Sequence, residues 1–253
     1  MNHTAFELLS SPKEIAFISV DNTQGFENQA LQELYVSEGE QAAQGSKAVV
    51  DLCKGYGISL INVFDSHPRG HLLFSQNYKD KKPFEMISYE EVKAWTPQEH
   101  GLSQRAGFGL SELQSHLQKV EQEMLWPDHC IQGTQGAQLM PPLEESDFDF
   151  HLPKGTAPVS SGYSGFEQTV LDNILKEQGK KVLLLGGVAT DYCIGQTALD
   201  AKKLGYQPYL IYEAIRGVAQ ETTQKMLFEL QNKHIELLTH QELMEILSKK
   251  FNS

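Results

Sequence analysis

Cys193 stands where an apolar run, Val182-Leu-Leu-Leu-Gly-Gly-Val-Ala-Thr-Asp-Tyr-Cys193, gives way to the helical pattern Ile-Gly-Gln-Thr-Ala-Leu-Asp-Ala201. A thiol in the first turn of a helix meets unpaired backbone N–H groups and a partial positive charge, which favour thiolate and can hold an oxyanion. That setting marks Cys193 as a candidate nucleophile, against the plainer reading of a buried structural cysteine. Asp21 closes another apolar run, Ile15–Val20, where it can cap a turn or accept a thiol proton. Lys154, in Leu152-Pro-Lys-Gly-Thr, is either a solvated charge or a cation that favours the ionised forms of nearby acids.

A second chemistry is written in Phe64-Asp65-Ser-His67-Pro-Arg-Gly-His71, where a carboxylate and two imidazoles fall on one loop containing Pro and Gly. Neutral imidazole and carboxylate suit a borderline divalent ion such as Zn²⁺, Fe²⁺ or Mn²⁺. His129, in Trp126-Pro-Asp-His-Cys130, can complete the set and leave positions for water or substrate. Cys130 is a rival thiol, but it lacks the strand-to-helix setting of Cys193.

Short runs rich in β-branched and aromatic residues at 15–20, 58–64, 182–185 and 208–212 read as interior parallel strands, with weaker strands at 147–151 and 234–238. Helical periodicity fills 40–56, 164–178, 192–204 and 219–232, and a last amphipathic helix occupies 240–250. This alternation predicts an α/β fold: an open, mostly parallel, doubly wound sheet of about six strands with helices on both faces. Ligands of such sheets bind beyond the carboxyl ends of the strands, where Asp21, Asp65, Lys154 and Cys193 all fall. The stretch 75–125, with one helix at 109–123, breaks the rhythm as an insertion, either a surface excursion or a lid.

The chain has 253 residues, 40% of them hydrophobic, enough for one complete core, so a single domain over 1–253 is expected. A formal charge of -12 without a Lys/Arg cluster argues against nucleic acid as a partner. No stretch approaches the roughly 18 apolar residues that span a bilayer. Met1-Asn-His-Thr-Ala-Phe-Glu7 lacks the basic and apolar regions of a leader, so no membrane partner and a cytoplasmic location are expected. Cys53, Cys130 and Cys193 show no CxxC spacing, and reduced thiols are the simpler expectation.

From Ile15 to Ala201, the insertion aside, the chain resembles the nicotinamidase/pyrazinamidase branch of the isochorismatase-like cysteine hydrolases. The resemblance rests on five motifs in the family's order. They are Asp21 with Phe26; Asp65, His67 and His71; Trp126 to Ala137; Lys154-Gly155 followed by Gly-Tyr163-Ser-Gly-Phe166; and Gly187 to Ile194. It implies an isochorismatase-like hydrolase fold and a triad of Cys193, Asp21 and Lys154. It also implies one divalent ion, zinc before iron or manganese, held by Asp65, His67, His71 and His129. Phe26, Trp126 and Tyr192 would flank a substrate ring. An oxyanion hole would use the backbone N–H groups of Ala189 and Cys193 beside a cis peptide. The implied reaction is hydrolysis of nicotinamide to nicotinate and ammonia through a thioester, with pyrazinamide also accepted, by a protein that can form a homo-oligomer.

The alternative on the same fold is another small amide, an N-carbamoyl or ureido compound; relatives of that kind generally lack the Asp-x-His-x-x-x-His set. A non-catalytic binding protein would be suggested by loss of a triad member, and none is lost. The departures are local. The motif Asp-x-Gln-x-Asp-Phe reads Asp21-Asn-Thr-Gln-Gly-Phe26, so Gly25 replaces its second aspartate; Ser66 replaces a tryptophan; and Val36-Ser-Glu-Gly39 replaces a Val-Pro-Gly-Gly turn. These changes bear on the pocket wall before they bear on hydrolysis.

Overall fold

The computed structural model describes residues 4–251; Met1, Asn2 and His3, part of the N-terminal stretch read above, lie outside them. Its strands in chain order are β1 (Ile15–Val20), β2 (Ser59–Asp65), β3 (Met86–Ser88), β4 (Gln122–Met124), β5 (Phe150–Lys154), β6 (Val182–Val188), β7 (Gln207–Arg216) and β8 (Glu236–Leu238). Six of them form one sheet in the order β5-β2-β1-β6-β7-β8, and every pairing in it is parallel. The chain winds outward from β1 through β2 to β5, then returns to β6 on the other side of β1. The switch point therefore lies between β1 and β6, and a crevice opens beyond their carboxyl ends.

Alternation along the strands explains the two faces. Ala16, Ile18 and Val20 of β1 and Leu183 and Leu185 of β6 pack with Leu171, Leu175, Ala198 and Leu230 of the helices Leu171–Glu177, Gly195–Lys203 and Gln220–Asn232. Ile15, Phe17, Val182 and Leu184 face the other way, onto Val49, Val50 and Cys53 of Gly39–Tyr56 and Leu243 and Leu247 of His240–Phe251. At the switch point a side chain on Gly187 would bring its Cβ within 1.7 Å of the Val20 carbonyl oxygen, so glycine is what lets the two central strands meet there.

Most expected elements form, with three shifts. The third strand of the main sheet runs over 150–154 rather than 147–151, which makes Lys154 its last residue. Helix covers only Leu171–Glu177 of the expected 164–178. The segment before it is held open by side chains: Gly165 N–H donates to Thr197 Oγ1, Thr169 Oγ1 donates to the Gly165 carbonyl, and Gln168 adopts a φ of 55°. The third shift is at 190–194, where a wider π turn precedes the helix Gly195–Lys203.

The 75–125 stretch forms the antiparallel pair β3/β4 and the helix Leu110–Val120, and its Ile87, Leu113 and Leu117 belong to an apolar cluster shared with Phe26, Val36 and Val188. It acts as a buttress. Phe84 N–H donates to Leu125 O at 2.6 Å, and the Phe84 ring stands edge-on to Trp126 with centroids 5.9 Å apart. Among the described residues, no helix is long and apolar enough to cross a membrane.

Candidate active site

Lys154 is the hub of the crevice. As the last residue of β5 it enters the interior, 1% exposed, and its ammonium has four neighbours. Asp65 Oδ1 lies at 2.7 Å, the Gly162 carbonyl at 2.8 Å, Asp21 Oδ2 at 2.9 Å and Cys193 Sγ at 3.4 Å. Asp21 follows β1 with a φ of 54°, and its Oδ1 accepts the Asp65 backbone N–H at 2.7 Å. Carboxylate oxygens of Asp21 and Asp65 and the Cys193 sulfur all lie within 4.8 Å of one another. Three segments distant in sequence thus bring Asp21, Lys154 and Cys193 to one buried point, with Asp65 delivered there by a fourth.

Electrostatics decides which groups are charged. Burial opposes the Lys154 ammonium, but Asp21 and Asp65 outweigh it and raise its pKa well above the ordinary value. Burial, reinforced by the Asp65 charge, raises Asp21 above the usual carboxylate range, and Lys154 counters this only in part. Burial is also the largest effect on Cys193, raising its thiol well above the ordinary value despite Lys154, with Asp21 and Asp65 adding to the rise. This corrects the sequence-based expectation of a thiolate favoured by a helix start. Two carboxylates and a dry environment outweigh the helix end, and the resting pair is a thiol beside a base.

The metal-type residues sit on the far side of Asp65. Its Oδ2 lies 3.2 Å from His67 Nε2 and 3.9 Å from His129 Nε2, and one donor atom from each of the three residues falls within 4.8 Å of the others. Burial opposes the Asp65 charge, yet His67 and Lys154 hold its carboxyl well below the usual range. Nδ1 of His67 meets the Gly155 carbonyl at 2.9 Å, and Nδ1 of His129 meets the Pro127 carbonyl at 2.8 Å. A carbonyl only accepts, so each ring carries a proton on Nδ1 and turns Nε2 toward Asp65. Gly155, with a φ of 60°, makes room for this, since a Cβ there would fall 2.3 Å from His67 Cε1. Burial and His67 lower His129 to about 4, which leaves a neutral ligand at neutral pH. The donor set therefore fits a borderline divalent cation with open coordination positions.

His71 stands apart. Its ring is 4.3 Å from that of His67, centroid to centroid, but Nδ1 accepts the Leu73 N–H at 3.3 Å and Nε2 meets Ser160 Oγ at 3.2 Å. Both nitrogens are engaged, and burial holds its pKa well below the ordinary histidine value.

Between Cys193 and the histidines lies a cavity that Asp65, His67, His129 and Cys193 all line. Phe26, Trp126 and Tyr192 all line it, as does Ala189, which follows a cis Val188–Ala189 peptide. Tyr163, which had no role in the sequence-based site, completes the aromatic wall: its hydroxyl accepts Trp126 Nε1–H at 3.1 Å and its ring lies 5.6 Å from Tyr192. The Gly-Tyr-Ser-Gly-Phe motif contained it, but only the fold turns that loop toward Trp126. Behind the cavity, Asp191 accepts N–H groups from Val218 and Ala219 at 2.9 and 3.2 Å, tying the turn that carries Cys193 to the start of the helix Gln220–Asn232.

Residues 16–242 match the isochorismatase domain. The chain belongs to the isochorismatase family. It is 32% identical over 192 residues to a nicotinamidase of Escherichia coli, covering 73% of this chain and 76% of that one. A nicotinamidase of Acinetobacter baylyi is 28% identical over 211 residues, covering 78% and 85%. Among solved structures, the pyrazinamidase of Pyrococcus horikoshii in complex with zinc superposes with a TM-score of 0.65 at 28% identity, covering 89% of this chain and 99% of that chain. The protein is thus an isochorismatase-family hydrolase related to nicotinamidases, and it carries an Asp/His metal-site candidate.

Proposed function

We propose that the protein hydrolyses nicotinamide to nicotinate and ammonia through a thioester on Cys193. The observation that carries this reading is the juxtaposition of two chemistries around Asp65. One of its oxygens meets the Lys154 ammonium that contacts Cys193, and the other faces the imidazoles across the aromatic cavity. The relationship to nicotinamidases supports the pyridine amide as substrate.

Asp21 takes the Cys193 proton as sulfur attacks the carboxamide carbon, so the proton moves to a carboxylate whose raised pKa suits it to receive one, and the negative charge passes to the carboxamide oxygen. The oxygen of the tetrahedral adduct is held by the backbone N–H groups of Ala189 and Cys193. Asp21 returns the proton to nitrogen as the C–N bond breaks, and ammonia leaves. Water, deprotonated by the same carboxylate, then cleaves the thioester and restores the thiol. Lys154 keeps its charge throughout and offsets negative charge on the sulfur and on Asp21. Phe26, Trp126, Tyr163 and Tyr192 hold the ring. Asp65, His67 and His129 would hold a divalent ion, zinc before iron or manganese, which when bound supplies an electrophilic anchor for the ring nitrogen.

The test is ammonia release from nicotinamide, pyrazinamide and benzamide, which lacks the ring nitrogen, with Cys193→Ala and a chelated sample alongside. Metal-dependent release from the first two, lost in Cys193→Ala and weak with benzamide, is expected. Release from an N-carbamoyl or ureido compound and none from nicotinamide would overturn the substrate while keeping the chemistry.

A further inference from the structure

Glu33 comes from the irregular segment between Phe26 and the helix Gly39–Tyr56, and none of the motifs includes it. Its carboxylate reaches a seat between two glycines. A Cβ on Gly25 would fall 2.5 Å from Glu33 Oε2, and one on Gly136 would fall 2.1 Å from the same atom. Gly25 has an ordinary helical backbone with no positive φ, so what bars a side chain there is the occupied space: besides Glu33 Oε2, its Cβ would lie 2.8 Å from the Cys130 sulfur and 3.1 Å from the Gly136 carbonyl oxygen. From this seat Oε2 accepts the Cys130 backbone N–H at 2.8 Å.

Cys130 is the residue after His129, and its φ of 46° is a left-handed conformation that a non-glycine residue holds only when its surroundings enforce it. The Cys130 carbonyl in turn accepts the His67 N–H at 3.0 Å, and its sulfur meets Thr23 Oγ1 at 3.3 Å. The peptide groups on either side of Cys130 therefore join three things: the Glu33 carboxylate, the loop carrying His129 and the loop carrying His67. Sequence alone shows Gly25 where the resembled motif has an aspartate; in space, a carboxylate from eight residues further along occupies that place.

We propose that Glu33 is a positioning residue for the metal-binding face: seated where a side chain at position 25 would lie, it holds the Cys130 backbone and so fixes the spacing of His129 and His67. The inference rests on the metal-site reading given under the proposed function. Groups that orient ligands in this way are each worth about 10–100-fold in metal affinity. Neutral glutamine at position 33 keeps an oxygen for the Cys130 N–H, and an aspartate at position 25 can supply one from the other side once Glu33 is gone.

The experiment measures Zn²⁺ affinity by competition with a chelating indicator, and the absorption spectrum of the Co²⁺-loaded protein, for wild type, Glu33→Gln, Glu33→Ala, Gly25→Asp and Gly25→Asp/Glu33→Ala. Circular dichroism confirms that each is folded. Expected are about tenfold or greater weakening and an altered Co²⁺ spectrum in Glu33→Ala, with near-wild-type behaviour in Glu33→Gln. Gly25→Asp alone should weaken binding, because its side chain meets both the Glu33 carboxylate and the Cys130 sulfur, and the double variant, which keeps only the second contact, should bind better than Gly25→Asp. If wild type binds neither ion, the metal-site reading fails. If wild type binds but folded Glu33→Ala matches it, the role given to Glu33 is overturned.

Discussion

Lys154 Nζ lies 2.7 Å from Asp65 Oδ1, while Oδ2 of the same carboxylate faces His67 Nε2 at 3.2 Å. One buried carboxylate therefore belongs both to the electrostatic surroundings of Cys193 and to the metal-type cluster. Removing one partner of a buried ion pair costs about 3–5 kcal/mol, because the remaining charge loses its partner. Lys154→Met should lower the melting temperature and abolish turnover. It should also make stability more metal-dependent, since a bound cation then compensates Asp65 and the neighbouring Asp21. Thermal melts with and without Zn²⁺ check this: a larger zinc-induced shift in Lys154→Met than in wild type is expected, and equal shifts would separate the two halves of the site.

Asp21 gives the acid side of the pH profile. It must be ionised to accept the Cys193 proton, so kcat/KM falls as pH drops through its pKa. Burial and Asp65 raise that pKa, so activity should fail at a higher pH than an ordinary carboxylate of pKa 3.8 would dictate. Asp21→Asn cannot accept the proton and should lose about 10²–10⁴-fold at every pH. A residual activity in Asp21→Asn with the wild-type acid limb intact would assign that limb to another group.

The three converging imidazole and carboxylate donors distinguish His71 from His67 and His129. Because both its nitrogens are hydrogen-bonded to Ser160 and Leu73, His71→Ala should weaken Zn²⁺ binding by about tenfold, as changes behind a ligand do. His67→Ala and His129→Ala each delete a donor facing Asp65 and should cost far more. Competition with a chelating indicator ranks the three, and a loss in His71→Ala equal to the others would make it a fourth ligand.

The chemistry-bearing residues were legible because each closes a strand or begins a helix, and Asp21, Asp65, Lys154 and Cys193 do converge beyond the carboxyl ends of the sheet. What sequence could not carry was through-space electrostatics. A helix start near Cys193 suggests thiolate, yet burial pushes the other way, and Asp21 and Asp65, 172 and 128 residues away, add to it. Glu33 was invisible for the same reason, since its partners Gly25, Cys130 and Gly136 meet only after folding. Periodicity also overstated helix at 164–170, where hydroxyls of Thr169 and Thr197 compete for backbone groups.

Glu27, one residue beyond the pocket's Phe26, is fully buried against Gly39, and neither carboxylate oxygen has a hydrogen-bonding partner among the described residues. Burial, then the charges of Glu40 and Asp21, raise its pKa well above the ordinary 4.5. The folded state thus holds a proton that the unfolded state releases near 4.5, so this group's contribution to stability is present at low pH and is lost as pH rises through the folded pKa. Glu27→Gln cannot ionise. Each pH unit within that window costs wild type about 1.4 kcal/mol relative to the variant. Melting temperatures of the two proteins should therefore lie close together near pH 4.5 and diverge toward pH 8, with Glu27→Gln the more stable. Parallel curves across that range would mean that Glu27 ionises in the folded protein at the same pH as in the unfolded chain, so that its burial does not raise its pKa.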